Sequence, residues 1–171
     1  MKRTFGRLGL ALVVGLLLAA LAGAGVWAQA GVKRVGLVVR YGDGAEHLEI
    51  VSVAADANTY DVLRASSLDI ATADYGGGFI ALCRIGPDGC PAEDCFCAAE
   101  SWAFWILNPA GPAWEAAAVG IAGHTPADGD VVGFSWTGFD ANWNPEVEPP
   151  VYTFAQIEAL TQPADIPEPA T

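Results

Sequence analysis

The sequence predicts a small α+β domain: a mixed sheet with one main helix and a disulfide-stapled loop. Three observations predict it. Alternating, β-branched segments recur between Gly, Pro and Asp turn signals from about residue 35 to residue 136. One short segment, entered at Asn58, carries helix-start chemistry. Four cysteines, Cys83, Cys90, Cys95 and Cys97, crowd one connection and are followed at once by an aromatic strand.

The chain opens with Lys2, Arg3 and Arg7, an uncharged apolar run from Leu8 to Val26, and the small-x-small site Ala28-Gln29-Ala30. This is the pattern of an export signal, and it predicts cleavage after Ala30. The alternative is an uncleaved anchor, because the apolar run approaches the roughly 20 residues that span a bilayer. Gly15, Gly23 and Gly25 weaken a spanning helix and favour cleavage. Without a cysteine in residues 1–30, a lipoprotein anchor is not indicated. The organisation read from the sequence is therefore a signal peptide at 1–30, a folded domain at 31–140 and a Pro-rich tail at 141–171.

Within the domain, Val35 to Tyr41 reads as a strand, Gly42-Asp43-Gly44 as a turn and Ala45 to Val53 as a second strand, together a hairpin. Asn58 stands three residues before Asp61, an N-cap with an acidic partner, and starts a helix over about 59–67. After a polar stretch, Tyr75-Gly76-Gly77-Gly78 leads into a third strand, Phe79 to Ile85, stopped by Gly86-Pro87-Asp88-Gly89. The cysteine loop joins it to an aromatic strand, Trp102 to Leu107. Trp114 to Ile121 is irregular or a short strand. A last strand, Val131 to Trp136, follows the turn Ala127-Asp128-Gly129-Asp130. The expected order is β-β-α-β-β-β. Beyond Asn142 prolines recur, and only Val151 to Phe154 and the helix-like Ala155 to Leu160 are suited to dock.

Charge excludes some functions. Loss of residues 1–30 removes three of the eight Lys and Arg and none of the twenty Asp and Glu, so 5 − 20 gives −15. Such a chain has no basic patch for nucleic acid, and after signal cleavage it has no attraction to an anionic membrane. Catalytic motifs are absent from the sequence. His47 and His124 belong to no triad or metal signature, and Ser135 does not complete a nucleophile elbow. Asp128-Gly129-Asp130 is too short for a calcium loop and suits a tight turn. The reading is of a protein that is not an enzyme and needs no cofactor or metal.

The hairpin, the helix entered through Asn58-Thr59-Tyr60-Asp61-Val62-Leu63, the run from Cys90 through Cys95-Phe96-Cys97 to Trp102-Ala103-Phe104-Trp105, then Trp114 and Asp128-Gly129-Asp130, follow one another in a telling order. Over about residues 35–139 this resembles the transcobalamin-type C-terminal β-grasp domain, whose bacterial relatives occur on exported and cell-surface proteins. The resemblance implies a β-grasp-like sheet crossed by one helix, and a binding role. In transcobalamin-like proteins the domain forms half of a cobalamin cleft with a helical domain. Corrinoid-type binding here would thus require a separate helical partner.

For the cysteines, C-x6-C-x4-C-x-C lacks the paired C-x-x-C arms of a zinc site, and an exported chain meets an oxidising compartment, so disulfides are expected. A redox role for Cys95 and Cys97 is disfavoured, because Glu93, Asp94 and Glu100 raise a thiol pKa. If the third and fourth strands pair antiparallel, the bonds nest, Cys83 with Cys97 outside Cys90 with Cys95. The ligand-contacting candidates are Trp102, Trp105, Trp114 and Trp136. Alternation places Trp102 and Phe104 on one face of their strand and Trp105 on the other, and a sheet with one helix can fully cover only one face. Either the tail covers the second face or its rings form a platform for a glycan, a corrinoid-like or hydrophobic small molecule, or a partner protein. Two functions follow: a secreted or cell-surface binding module, or an accessory, structural interaction domain of the cell envelope. Ile166-Pro167-Glu168-Pro169 resembles the start of an exported-protein sorting signal, without its apolar helix and arginine cluster.

Overall fold

The computed structural model describes residues 31–162. The signal at 1–30 and the sorting-like segment at 166–171 lie outside them.

Two long, Val-rich segments form the first hairpin. β1 (Val32–Arg40) pairs antiparallel with β2 (Glu46–Ala54), and the connection is closed by Tyr41 N donating to Ala45 O at 2.9 Å. The chain then enters α1 (Thr59–Ala65). The Asn58 side chain accepts from Asp61 N at 3.0 Å and the Asp61 carboxylate accepts from Asn58 N at 3.1 Å. This reciprocal capping satisfies two of the amides that a helix start leaves unpaired. The helix ends two residues earlier than the sequence suggests, where Ser66 turns extended and its hydroxyl donates to Leu63 O.

The last strand, β8 (Val131–Thr137), returns to lie parallel to β1, with Gly36 opposite Val131. β6 (Ser101–Leu107) pairs antiparallel with β8, and the short β7 (Trp114–Ala116) edges β6. The sheet order is β2-β1-β8-β6-β7, a mixed β-grasp arrangement with the hairpin on one side and the helical crossover over one face. The second sheet was not legible in the sequence. β3 (Ile70–Asp74), read there as a polar stretch, pairs with β4 (Ile80–Ile85), which is edged by the two-residue β5 (Asp88–Gly89). β4 therefore pairs with β3 and β5, and not with the aromatic strand as the nested disulfides required.

Each face of the five-stranded sheet has its own core. On the first, Val35, Leu37, Val39, Val132 and Phe134 pack against Val62 and Leu63 of α1 and Ile85 of the small sheet. On the second, Val38, Ala103, Trp105, Trp114 and Val131 pack against Ile157 of α2 (Phe154–Thr161). The stretch from Val151 to Leu160, expected from the sequence to dock, thus covers the second face through Ile157. Burial of a side chain such as Ile157 contributes about 1.5–3 kcal/mol. Two glycines admit this cover. A Cβ at Gly36 would lie 2.9 Å from Ile157 Cδ1, and one at Gly133 would lie 2.7 Å from the Trp114 ring and 3.0 Å from Pro149. Farther along, Trp105 Nε1 donates to Ser135 Oγ at 2.9 Å, and Ser135 Oγ donates to Val147 O at 2.6 Å. Those bonds fasten the tail through the sheet's own polar atoms.

Candidate functional site

The four tryptophans singled out in the sequence do not share a surface. The sheet divides them: Trp102 and Trp136 belong to the first face, Trp105 and Trp114 to the second. Trp102 is 8%, Trp105 5% and Trp114 6% exposed, because α1, the small sheet and the tail cover both faces. Trp136 is half-buried beside Trp102, ring centroids 5.6 Å apart, and Tyr41 meets Trp102 edge-on. A platform built from these four rings is therefore replaced by core packing. Burial, and secondarily Asp88, push the Tyr41 phenol pKa up.

The histidines are also apart. His47 Nε2 lies 3.0 Å from Glu49 on β2. His124 Nδ1 lies 2.8 Å from Thr59 Oγ1 at the start of α1. Desolvation holds the His124 pKa down, Lys33 adds to that, and Asp130 opposes it. Asp128 accepts from Arg34 N and Asp130 from Ala127 N, each at 2.7 Å, so the first carboxylate ties the turn before β8 to β1 and the second closes that turn. Among the described residues no group of three or more His, Cys, Asp and Glu is arranged to hold a metal ion.

All four cysteines are bonded, but in an interleaved order: Cys83 with Cys95 and Cys90 with Cys97. The nested pairing is corrected by the β4–β5 hairpin. That turn sets Cys90 beside Cys83, with Cys90 N donating to Cys83 O at 2.8 Å. A 3-10 turn at Ala92–Asp94 then brings the chain back, and Cys83 and Cys90 each take one member of the Cys95, Cys97 pair. Closing loops of 12 and 7 residues stabilises by about 2–3 kcal/mol each in the chain-entropy model. Two disulfides suit an oxidising compartment.

Between those cysteines sits Phe96, 66% exposed on a backbone pinned at both neighbours. Its ring lies 6.1 Å from that of Tyr75, which lies 5.9 Å from that of Phe79, and both are also exposed. Tyr75 and Phe79 flank Gly76-Gly77-Gly78, a turn whose three residues all have positive φ. On the other side of Phe96 opens a groove of about 540 Å³, lined by Phe96, Glu100, Ser101, Phe139, Asp140 and Trp143 among others.

Trp143 is 83% exposed and, among the described residues, is the non-glycine residue with positive φ, 64°. That backbone costs on the order of 1 kcal/mol for an L-residue, so the neighbouring bonds must impose it. Asp140 does so: its Oδ1 accepts from Asn142 N at 2.8 Å and Asn144 N at 2.9 Å, and its Oδ2 from Asn144 Nδ2 at 3.1 Å. Asp140 N donates to Asn144 O and Trp143 N to Asp140 O, each at 3.0 Å. The Asn144 amide above all, aided by its side chain and Asn142, holds the Asp140 carboxyl below the usual aspartate range. Trp143 falls within the stretch 141–171 that the sequence marks as a Pro-rich tail. The cue was the polar frame Asp140-Ala141-Asn142-Trp143-Asn144, in which alternate side chains can bind the loop's own backbone.

No family model matches the chain, and no curated protein matches it. Among solved structures it is similar to one described as a "putative metal binding protein" from Ruminococcus gnavus, at 15% identity and a TM-score of 0.45, over 63% of this chain and 99% of that one.

Proposed function

We propose that the protein is an exported, non-catalytic binding module whose ligand lies in the groove between the disulfide loop and the Asp140–Asn144 loop. One observation carries this reading: Trp143 is presented to solvent on a left-handed backbone that a dedicated hydrogen-bond frame maintains. An unselected surface tryptophan would be expected neither to be so exposed nor to be so constrained. Phe96 repeats the pattern by covalent means. Rigid aromatic side chains lose little freedom on binding, so pre-positioning them raises affinity. The resemblance to the transcobalamin-type β-grasp domain supports a binding role, and the paired cysteines support an extracytoplasmic one.

The test is a thermal-shift screen of the full, oxidised chain against glycans, organic cations, corrinoids and small apolar molecules. A ligand at this site raises the melting temperature. Its shift should vanish in Trp143→Ala and Phe96→Ala and persist in Leu160→Ala, which alters an exposed residue of α2. Hits that ignore Trp143, or a panel without hits, would refute the groove as the site.

A further inference from the structure

We infer that the groove takes a small organic ammonium cation, with Phe96, Phe139 and Trp143 as its aromatic walls and Glu100 as its counter-charge. This deepens the reading above and rests on it. The groove's chemistry is one-sided. Its side chains are aromatic rings, two carboxylates, one hydroxyl and alanines, with no amide, imidazole, guanidinium or ammonium group. A sugar presents hydroxyls that both donate and accept, and a buried donor-acceptor pair left half-made costs affinity. An anion would meet carboxylates and no cation. A quaternary ammonium group, by contrast, offers no hydrogen bonds and needs only ring faces and a nearby negative charge.

The two carboxylates are not equivalent. Asp140 is occupied by three hydrogen bonds of its own loop. Glu100 makes no hydrogen bond or ion pair among the described residues, and it lies exposed at the end of the disulfide loop. It is the free charge of the site. The wider field points the same way: after residue 30 there are five Lys and Arg against twenty Asp and Glu, and none of the five lines the groove. Such an excess raises the local concentration of cations. The volume, about 540 Å³, falls in the range of small-molecule sites. It suits an ammonium head on a short apolar stem.

The experiment is calorimetric titration of the full, oxidised chain with four probes: choline, its neutral isostere 3,3-dimethylbutan-1-ol, cellobiose, and an oligolysine peptide. Choline should bind, and the isostere about tenfold more weakly, a step in line with the known worth of a cation over aromatic rings. Glu100→Gln should weaken choline by about tenfold and leave the isostere unchanged, and Trp143→Ala should abolish both, with melting temperatures matched to the parent. Equal binding of choline and isostere, or choline binding indifferent to Glu100→Gln, would overturn the cation inference. So would Trp143-dependent binding of cellobiose without choline, or of oligolysine without choline. Those results leave the groove reading standing. If none of the four probes binds in a Trp143-dependent way, the cation inference falls, and the groove reading falls with it only when the wider thermal-shift panel is also without Trp143-dependent hits.

Discussion

Two sets of aromatic side chains divide this molecule. Trp102, Trp105, Trp114 and Phe134 are held by regular strands and packed on both sides, whereas Tyr75, Phe79, Phe96 and Trp143 stand in solvent. The chemistry of the rings is the same, and the means of holding them differs. The buried set is fixed by alternation and sheet pairing. The exposed set is fixed by a glycine turn, two disulfides and an aspartate frame, devices that act on the backbone and leave the ring free. Rings fixed by packing serve stability, and rings fixed through their backbone remain available to a ligand.

Several substitutions would break or sharpen that contrast. Phe134→Ala empties a fully buried site and should cost about 3–5 kcal/mol in urea unfolding, with the exposed set disrupted as well. The double replacement Cys90→Ala with Cys97→Ala should cost about 2–3 kcal/mol and abolish groove binding, while far-ultraviolet circular dichroism retains the sheet signal. Gly133→Ala forces a methyl against Trp114 and Pro149, and should lower stability by about 1–3 kcal/mol without touching the groove. Trp143→Gly should leave stability within about 1 kcal/mol of the parent, since relief of the left-handed backbone offsets glycine's greater freedom when unfolded. Binding should nevertheless be lost. That pairing of outcomes separates the two sets most cleanly.

Acid offers a gentler probe. The folded-state pKa of Asp140 is depressed, so the carboxylate's contribution to the loop is present above the unfolded-state value and is lost as pH falls through the folded one. Lowering the pH well below the ordinary aspartate range should loosen the loop and change Trp143 fluorescence before the core unfolds. Asp140→Asn should remove that pH-dependent step.

How much of this was readable from the residues follows from the kind of force involved. The hairpin, the Asn58 capping box and the two-faced β6 follow from local periodicity, and each formed as read. The helix at Phe154–Thr161 was also legible, from Val151 to Leu160. β3 escaped notice because Ala71, Thr72 and Ala73 are small and only half-buried, so their pattern is faint. The disulfide order escaped because it depends on which strands neighbour one another, a non-local fact. The candidate site was misplaced for a related reason: tryptophan identity signals value to a core and to a ligand alike, and only the pairing of sheets and tail decides between them.

The parallel ladder between β1 and β8 has a consequence for how the chain must fold. It joins Gly36 to Val131, so β1 waits for β8, which is both the central strand of the sheet and the last strand of the chain's described residues to arrive. Contacts so distant in sequence slow folding, since loop-closure entropy is lost before they form. During vectorial synthesis the Val-rich hairpin therefore emerges with its inner edge unpaired, the situation in which strands adhere to foreign edges. Completion of residues 131–137 is the event that ends this exposure, and chains cut short before β8 should aggregate instead of populating half a domain.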